Sequence, residues 1–253
     1  MFSSRIADRV ATLTMSSPPV NALSESWLAG LSAAIDGLVA QGGWTLLHIR
    51  SDQKAFCAGA DLKEMKARFD APDGPDRNFA YVATIQRLFR KIEDLPQATL
   101  AEIGGAAMGG GFELALSCDL RVAAAEAKIG LPEVKLGLIP GAGGTQRLTR
   151  LIGAGLANRL ILGAETPDGS TAERLGLVQW CFPRAEIAER AAEIAKRVAA
   201  LPEGALRAAK ACMRASALPG SGGFFDELEE TRKLQTDPDT RRLIGAFLAG
   251  ARG

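Results

Sequence analysis

The sequence predicts an α/β fold that passes into a helical C-terminal part, and three observations carry that prediction. Short apolar segments of strand character alternate with stretches whose apolar residues recur at helical spacing. Glycine-rich turns separate the two kinds of segment, and such alternation favours parallel strands joined through helices. Beyond residues 178–182 the strand signal vanishes, and residues 185–253 read as successive helices.

In chain order, Ala11-Thr12-Leu13-Thr14-Met15 has a period of two and reads as the opening strand. Ser24 stands as N-cap to a helix whose Leu28, Leu31, Ile35 and Leu38 form one apolar stripe, ended by Gly42-Gly43. Residues 44–49 read as a buried strand, residues 54–60 as a loop, and a short helix begins at Leu62. There Asp61, with Glu64 three residues on, matches an Asp-led capping box. Residues 70–78 are polar and rich in Pro and Gly, and read as an exposed, mobile excursion. A further helix bears Val82, Ile85, Phe89 and Ile92 and stops before Pro96. A strand over residues 99–103, a glycine-rich turn, a helix through residues 113–117 and a strand over residues 120–123 follow. Pro202, Pro219-Gly220-Ser221-Gly222-Gly223 and Pro238 punctuate the tail. A boundary is expected near Leu201 and Pro202, dividing a core of residues 1–200 from a helical region of residues 201–253.

A length of 253 residues suits one large domain, or one with a small appendage. The chain is 47% hydrophobic and 23% charged, an ordinary globular composition. Thirty Lys and Arg against 29 Asp and Glu leave a net charge of +1, so no global pull toward nucleic acid or anionic membrane is expected. No apolar run approaches the roughly 20 residues that span a bilayer, and Met1-Phe2-Ser3-Ser4-Arg5 lacks the apolar core of a signal peptide. Four scattered cysteines form no CxxC pair, which fits a reducing, cytoplasmic setting. The single histidine, His48, lies in a strand segment and reads as a core residue. Its solitude removes histidine triads and multi-histidine metal sites, so no metal site is expected. Proton transfer then falls to carboxylates, Lys, Tyr81 or Cys.

Two glycine-rich segments invite a phosphate-loop reading and fail it. Gly105 and Gly110 are followed by Gly111-Phe112 where Lys-Ser/Thr would be needed, and Gly141-Ala142-Gly143-Gly144 lacks a correctly placed third glycine. Glycine here has another use, the freeing of backbone amides to face a ligand. Gly109-Gly110-Gly111 opens a helix, where amides have no internal acceptor and sit at the positive end of the dipole. Glu113 lies one turn inside, on a strongly apolar segment; the ordinary alternative is an exposed face or a pair with Arg121. Glu133 follows Pro132 within another apolar run, and its ordinary alternative is a loop charge paired with Lys128 or Lys135. Together the two suggest an acid/base pair with separated pKa values. The Ala60 amide, just outside the helix begun at Leu62, would add a second donor beside Gly110 if the fold joins them, making an oxyanion hole. Cys57 and Cys118 read as space-filling, and the alanine-rich residues 185–212 as helix packing.

Three segments carry a resemblance. Ala55-Phe56-Cys57-Ala58-Gly59-Ala60-Asp61-Leu62, Met108-Gly109-Gly110-Gly111-Phe112-Glu113-Leu114-Ala115, and the stretch from Pro132-Glu133-Val134-Lys135-Leu136-Gly137 to Gly144-Thr145-Gln146-Arg147-Leu148 resemble the crotonase superfamily, and within it the enoyl-CoA hydratases. The likeness runs from Asn21-Ala22-Leu23 to about Phe247. It implies strand–strand–helix turns wound into a superhelix, with C-terminal helices that build a homotrimer or a dimer of trimers. It also implies an oxyanion hole from the amides of Ala60 and Gly110, and catalytic carboxylates Glu113 and Glu133. Coenzyme A, as part of the acyl-CoA substrate, would meet Ala58, Ala60, Asp61, Leu62, Lys63 and Gly110, with Ala22 lining the mouth beside Asn21 and Leu23. The implied activity is hydration of a 2-enoyl-CoA of lipid or fatty-acid metabolism, with a branched or methylglutaconyl-like acyl group among the options. No redox cofactor or metal is implied.

The same likeness defines rivals. An enoyl-CoA isomerase would often need one carboxylate, so the presence of both Glu113 and Glu133 favours hydration; decarboxylase and dehalogenase relatives use altered residues. A non-catalytic acyl-CoA or RNA-binding homologue is a further class. Two departures stand out. Relatives often follow the phenylalanine matching Phe247 with a Glu-Lys-Arg-like run, whereas here Leu248-Ala249-Gly250-Ala251-Arg252-Gly253 follows, leaving Arg252 or Lys63 to hold the nucleotide. Phe112 is bulkier than the small residue of some relatives and is expected to narrow the acyl pocket.

Overall fold

The chain opens with β1 (Phe2–Ala7) and β2 (Val10–Met15), an antiparallel pair in which Phe2 faces Met15. The sequence signals only the second of these. β1 is mostly exposed, and its turn residues Asp8 and Arg9 both adopt positive φ with no glycine to announce the hairpin. The computed structural model describes residues 1–215 and 223–250. Ser24 caps α1 (Glu25–Gln41) as expected, its Oγ accepting from Trp27 N at 3.1 Å. The stripe of Leu28, Leu31, Ile35 and Leu38 is buried, with Trp27 added.

Three strand–strand–helix turns follow. The first is β3 (Leu46–Ser51) and β4 (Ala55–Cys57) with α2 (Leu62–Phe69) and α3 (Gly74–Asp94). The second is β5 (Ala98–Ile103), β6 (Ala106–Met108) and α4 (Gly110–Leu116). The third is β7 (Leu120–Ala124), β8 (Ile129–Gly130), a 3₁₀ turn (Glu133–Leu136) and α5 (Gly144–Leu162). Each turn gives its first strand to one sheet and its second to another. The large sheet has the order β1-β2-β3-β5-β7-β9, where β9 is Trp180–Phe182, and is parallel from β2 onward. The small sheet, β4-β6-β8, is parallel throughout. This is the wound α/β arrangement that the resemblance implies.

Three expectations need correction. Residues 54–60 are not a plain loop, because Ala55-Phe56-Cys57 forms the fully buried β4. The glycine-rich turn after β5 likewise contains β6. Strands of two or three residues are too short to display a period. Residues 74–78 belong to the first turns of α3, with Pro75 at its start, where a missing N–H costs nothing.

α6 (Gly169–Arg174) precedes β9, and α7 (Ile187–Ala199) then packs across β2, β3, β5, β7 and β9. Leu201 and Pro202 separate it from α8 (Glu203–Ala215). α8 is tied to the sheet by buried Lys210, whose Nζ donates to Gln97 O at 2.9 Å and Asp119 Oδ2 at 2.7 Å. α9 (Gly223–Thr236) and α10 (Pro238–Gly250) complete the tail and expose Phe224, Phe225, Leu228, Ile244 and Phe247. The run at 219–222 and Arg252 lie outside the described residues. No described helix is long and apolar enough to cross a membrane. His48 is buried in β3 with Nε2 2.9 Å from Glu102 Oε2, a core pairing that the sequence does not announce.

Candidate active site

Parallel pairing in the small sheet sends the C-terminal ends of β4, β6 and β8 to one edge, where α/β sheets place ligands. Three segments leave that edge together. Ala58-Gly59-Ala60 leaves β4, Gly109 and α4 leave β6, and Leu131-Pro132-Glu133 leaves β8.

The segments touch. Gly59 has φ +89°, and a Cβ there would stand 2.7 Å from Met108 O and 3.3 Å from Gly110 N. A Cβ on Gly110 would lie 3.8 Å from both Gly59 Cα and Glu113 Oε2. One on Gly109, whose φ is +53°, would lie 3.0 Å from Glu133 Oε1. The Ala60 turn, the Gly110 amide and both carboxylates are therefore brought to one place, as the sequence reading requires.

The two amides are aimed by their own carbonyls. Gly59 O accepts from Leu23 N at 2.9 Å, and Gly109 O accepts from Phe112 N at 2.8 Å and Glu113 N at 2.9 Å. Each carbonyl shares a planar trans peptide with the next N–H, so holding the C=O turns the N–H of Ala60 or Gly110 the opposite way. Neither N–H has an acceptor among the described residues. Gly110, as the first residue of α4, has no intrahelical acceptor in any case. Two such donors suit an oxygen that gains negative charge.

Glu113 is only 3% exposed, and its Oε1 accepts from Gly144 N at 2.7 Å. Burial pushes its carboxyl up to about 7, opposed by the Gly144 bond and reinforced by the like charge of Glu133. Arg121 is not its partner; that guanidinium is spent on the carbonyls of Leu177 at 2.8 Å and Cys118 at 2.6 Å. Glu133 begins the 3₁₀ turn and is half-buried. It pairs with neither Lys128 nor Lys135, and its Oε2 is buried without a hydrogen-bond partner among the described residues. Burial raises its pKa as well.

These ionisations make the site a stability liability with a definite sign. Glu113 holds its proton more tightly folded than unfolded, so its contribution is full below about 4.5 and is lost as pH rises through about 7. Glu113→Gln is therefore expected to flatten the fall in stability between pH 5 and pH 8, and to be more stable than the natural chain at pH 8. Urea midpoints at the two pH values measure this; parallel wild-type and variant curves would contradict the buried-carboxylate account.

The remaining candidates frame this centre. Asp61 caps α2, accepting from Lys63 N at 2.9 Å and Glu64 N at 3.1 Å. The reciprocal arm of the expected capping box is turned elsewhere, since Glu64 Oε2 accepts from Glu25 N at 3.1 Å. Ala58 N donates to Val20 O at 3.0 Å and Leu23 bridges to Ala60, so Ala22 lies beside the Ala58 turn. Ala58, Leu62 and Lys63 are exposed, and Phe112 is in the core. Asn21, expected at the mouth, is fully buried at φ +52°. Its Nδ2 donates to Ser51 Oγ at 2.8 Å and Phe56 O at 3.0 Å, which ties the 17–23 loop to β4. Cys57 and Cys118 are buried and burial pushes both thiols up to about 12, so neither is a nucleophile. No cluster of His, Cys, Asp and Glu fit to hold a metal occurs among the described residues.

A sequence profile described as "Enoyl-CoA hydratase/isomerase" matches residues 5–225. A protein named methylglutaconyl-CoA hydratase, mitochondrial, of Homo sapiens is 40% identical over 89% of this chain and 66% of its own length. The 2,3-dehydroadipyl-CoA hydratase of Escherichia coli is 34% identical over 95% of this chain and 92% of its own. The chain spans 60–66% of the length of the mammalian mitochondrial relatives it matches. Among solved structures, an enoyl-CoA hydratase from Bacillus anthracis superposes with a TM-score of 0.90 at 33% identity, covering 98% of this chain and 96% of that one.

Proposed function

The chain belongs to the enoyl-CoA hydratase/isomerase family, and on that footing we propose that it adds water across the 2,3 double bond of a 2-enoyl-CoA. The observation that carries this reading is the meeting of two acceptor-free amides with one buried and one half-buried carboxylate at one sheet edge. A 2-enoyl thioester reacts poorly with water until its carbonyl is polarised. The amides of Ala60 and Gly110 take the thioester oxygen and stabilise the enolate charge that develops on it. Glu113 removes a proton from water as its oxygen bonds to the β-carbon, and Glu133 delivers a proton to the α-carbon. One proton must reside on the pair, because two charged carboxylates offer no acid and two neutral ones no base.

Coenzyme A enters as part of the substrate; the addition is redox-neutral and calls for no redox group, and in this reading the two amides, not a metal, polarise the carbonyl. Ala22, Ala58, Asp61, Leu62 and Lys63 would meet the thiol arm and nucleotide. A branched or carboxylate-bearing acyl group is supported by the names of the relatives, which act on methylglutaconyl-CoA and 2,3-dehydroadipyl-CoA. The exposed apolar side chains of α9 and α10 support a homotrimer or dimer of trimers, and four free cysteines support a reducing, cytoplasmic setting.

The test is direct. Purified chain given crotonyl-CoA should form 3-hydroxybutyryl-CoA. Conversion of a 3-enoyl-CoA without hydration of crotonyl-CoA would make it an isomerase, and binding without turnover of either would make it an acyl-CoA carrier.

A further inference from the structure

The proton chemistry proposed above uses no tyrosine, yet the single tyrosine of the chain is buried beside the site. Tyr81 stands on α3, far from the site in sequence, and its hydroxyl donates to the backbone carbonyl of Leu23. Leu23 in turn touches both turns that carry the acceptor-free amides. Its N–H donates to Gly59 O at 2.9 Å, the carbonyl of the peptide that bears Ala60 N–H. Its Cδ1 lies 2.6 Å from where a Cβ on Gly110 would stand, so its side chain packs directly on the second donor.

The phenol is itself held in place. The Arg68 guanidinium lies 3.7 Å over the Tyr81 ring, with Arg68 Nη1 3.4 Å from Glu25 and 3.5 Å from Glu64. Arg68 Nε and Nη2 are buried without hydrogen-bond partners among the described residues, so the ring face supplies much of their compensation. Burial pushes the phenol up to about 12, which keeps its proton on oxygen across any working pH. A fixed donor on a long helix thus anchors the carbonyl of a core-packed loop residue whose backbone otherwise pairs through an isolated bridge to Ala60.

We infer that Tyr81 is a positioning residue of the oxyanion hole, its hydroxyl setting Leu23 and, through Leu23, the spacing of the Ala60 and Gly110 amides. The inference rests on the hydratase reading of those amides. A phenol that merely satisfies a core carbonyl would affect stability alone. A positioning role predicts a loss in the step where charge reaches the thioester oxygen.

Tyr81→Phe removes one hydroxyl and keeps the ring under Arg68. Its kcat for crotonyl-CoA is expected to fall about tenfold, a fraction of the loss of a whole donor, with KM changed by less than about threefold. The infrared carbonyl stretch of bound, carbonyl-labelled butyryl-CoA should move back toward its value in free solution. Because Tyr81 is the sole tyrosine, growth on 3-fluorotyrosine alters this ring alone and keeps the donor; kcat should then stay within about twofold of the natural chain. Natural kcat and an unmoved stretch in Tyr81→Phe would overturn the positioning role and leave the hydratase reading standing. If the natural chain itself neither hydrates crotonyl-CoA nor shifts the carbonyl stretch, the oxyanion-hole reading falls and takes this inference with it.

Discussion

Glu113→Gln is expected to lower kcat for crotonyl-CoA hydration by about 10²–10⁴-fold while changing KM by less than about threefold. The substitution preserves shape, and the amide oxygen still accepts from Gly144 N, so the helix and the turn at Gly144 keep their places. What it removes is the capacity to take a proton from water. Glu133→Gln should fall in the same range for the complementary reason, since an amide cannot supply the α-proton. Residues that act as one unit are not additive, so the double variant should lose little more than the worse single one. Steady-state kinetics on crotonyl-CoA and a 3-enoyl-CoA decide the matter. A loss of only a few-fold for either variant would remove that carboxylate from the proton path. A Glu113→Gln chain that still isomerises 3-enoyl-CoA would move the assignment to isomerase.

The pair also shows what a sequence can and cannot disclose. Glu113 is suspicious in the sequence because it interrupts an apolar segment, and burial at 3% exposure makes good that suspicion. The alternatives of Arg121, Lys128 and Lys135 as partners are excluded only by coordinates, because pairing depends on where side chains point and not on spacing. The long elements are legible for the same reason that α1 is: a stripe of buried residues at helical spacing, bounded by Ser24 and Gly42. β4, β6 and β8 are illegible because two or three residues carry no period, yet their parallel pairing is what gathers the site. β1 is hidden by exposure and by an Asp8-Arg9 turn of unusual composition. Asn21 and Tyr81 are named in the sequence for other reasons, and their actual roles are missed. Their work is done through hydrogen bonds to backbone atoms distant in sequence, Phe56 O and Leu23 O, which no local pattern encodes.

Gly59→Ala should cost about 10²–10³-fold in kcat, close to the loss of one oxyanion donor, although it removes no functional group. The cause is geometric. Gly59 sits at φ +89°, where L side chains are strained, and an added Cβ would lie 2.7 Å from the backbone oxygen of Met108. Met108 O belongs to the strand that leads into Gly109, so it cannot yield as the end of a flexible side chain would. Relief must come from rotation of the Gly59 backbone, which breaks the Leu23 N–H bond to Gly59 O and swings Ala60 N–H off the thioester oxygen. Gly42→Ala serves as the control. Gly42 also has positive φ, at +65°, but a Cβ there would meet nothing within 4 Å. That variant should lose about 1–2 kcal/mol of stability from backbone strain and keep its kcat. If instead both alanines lower stability alike and leave kcat alike, the Gly59 turn is only a turn, and the second donor must be sought elsewhere than Ala60.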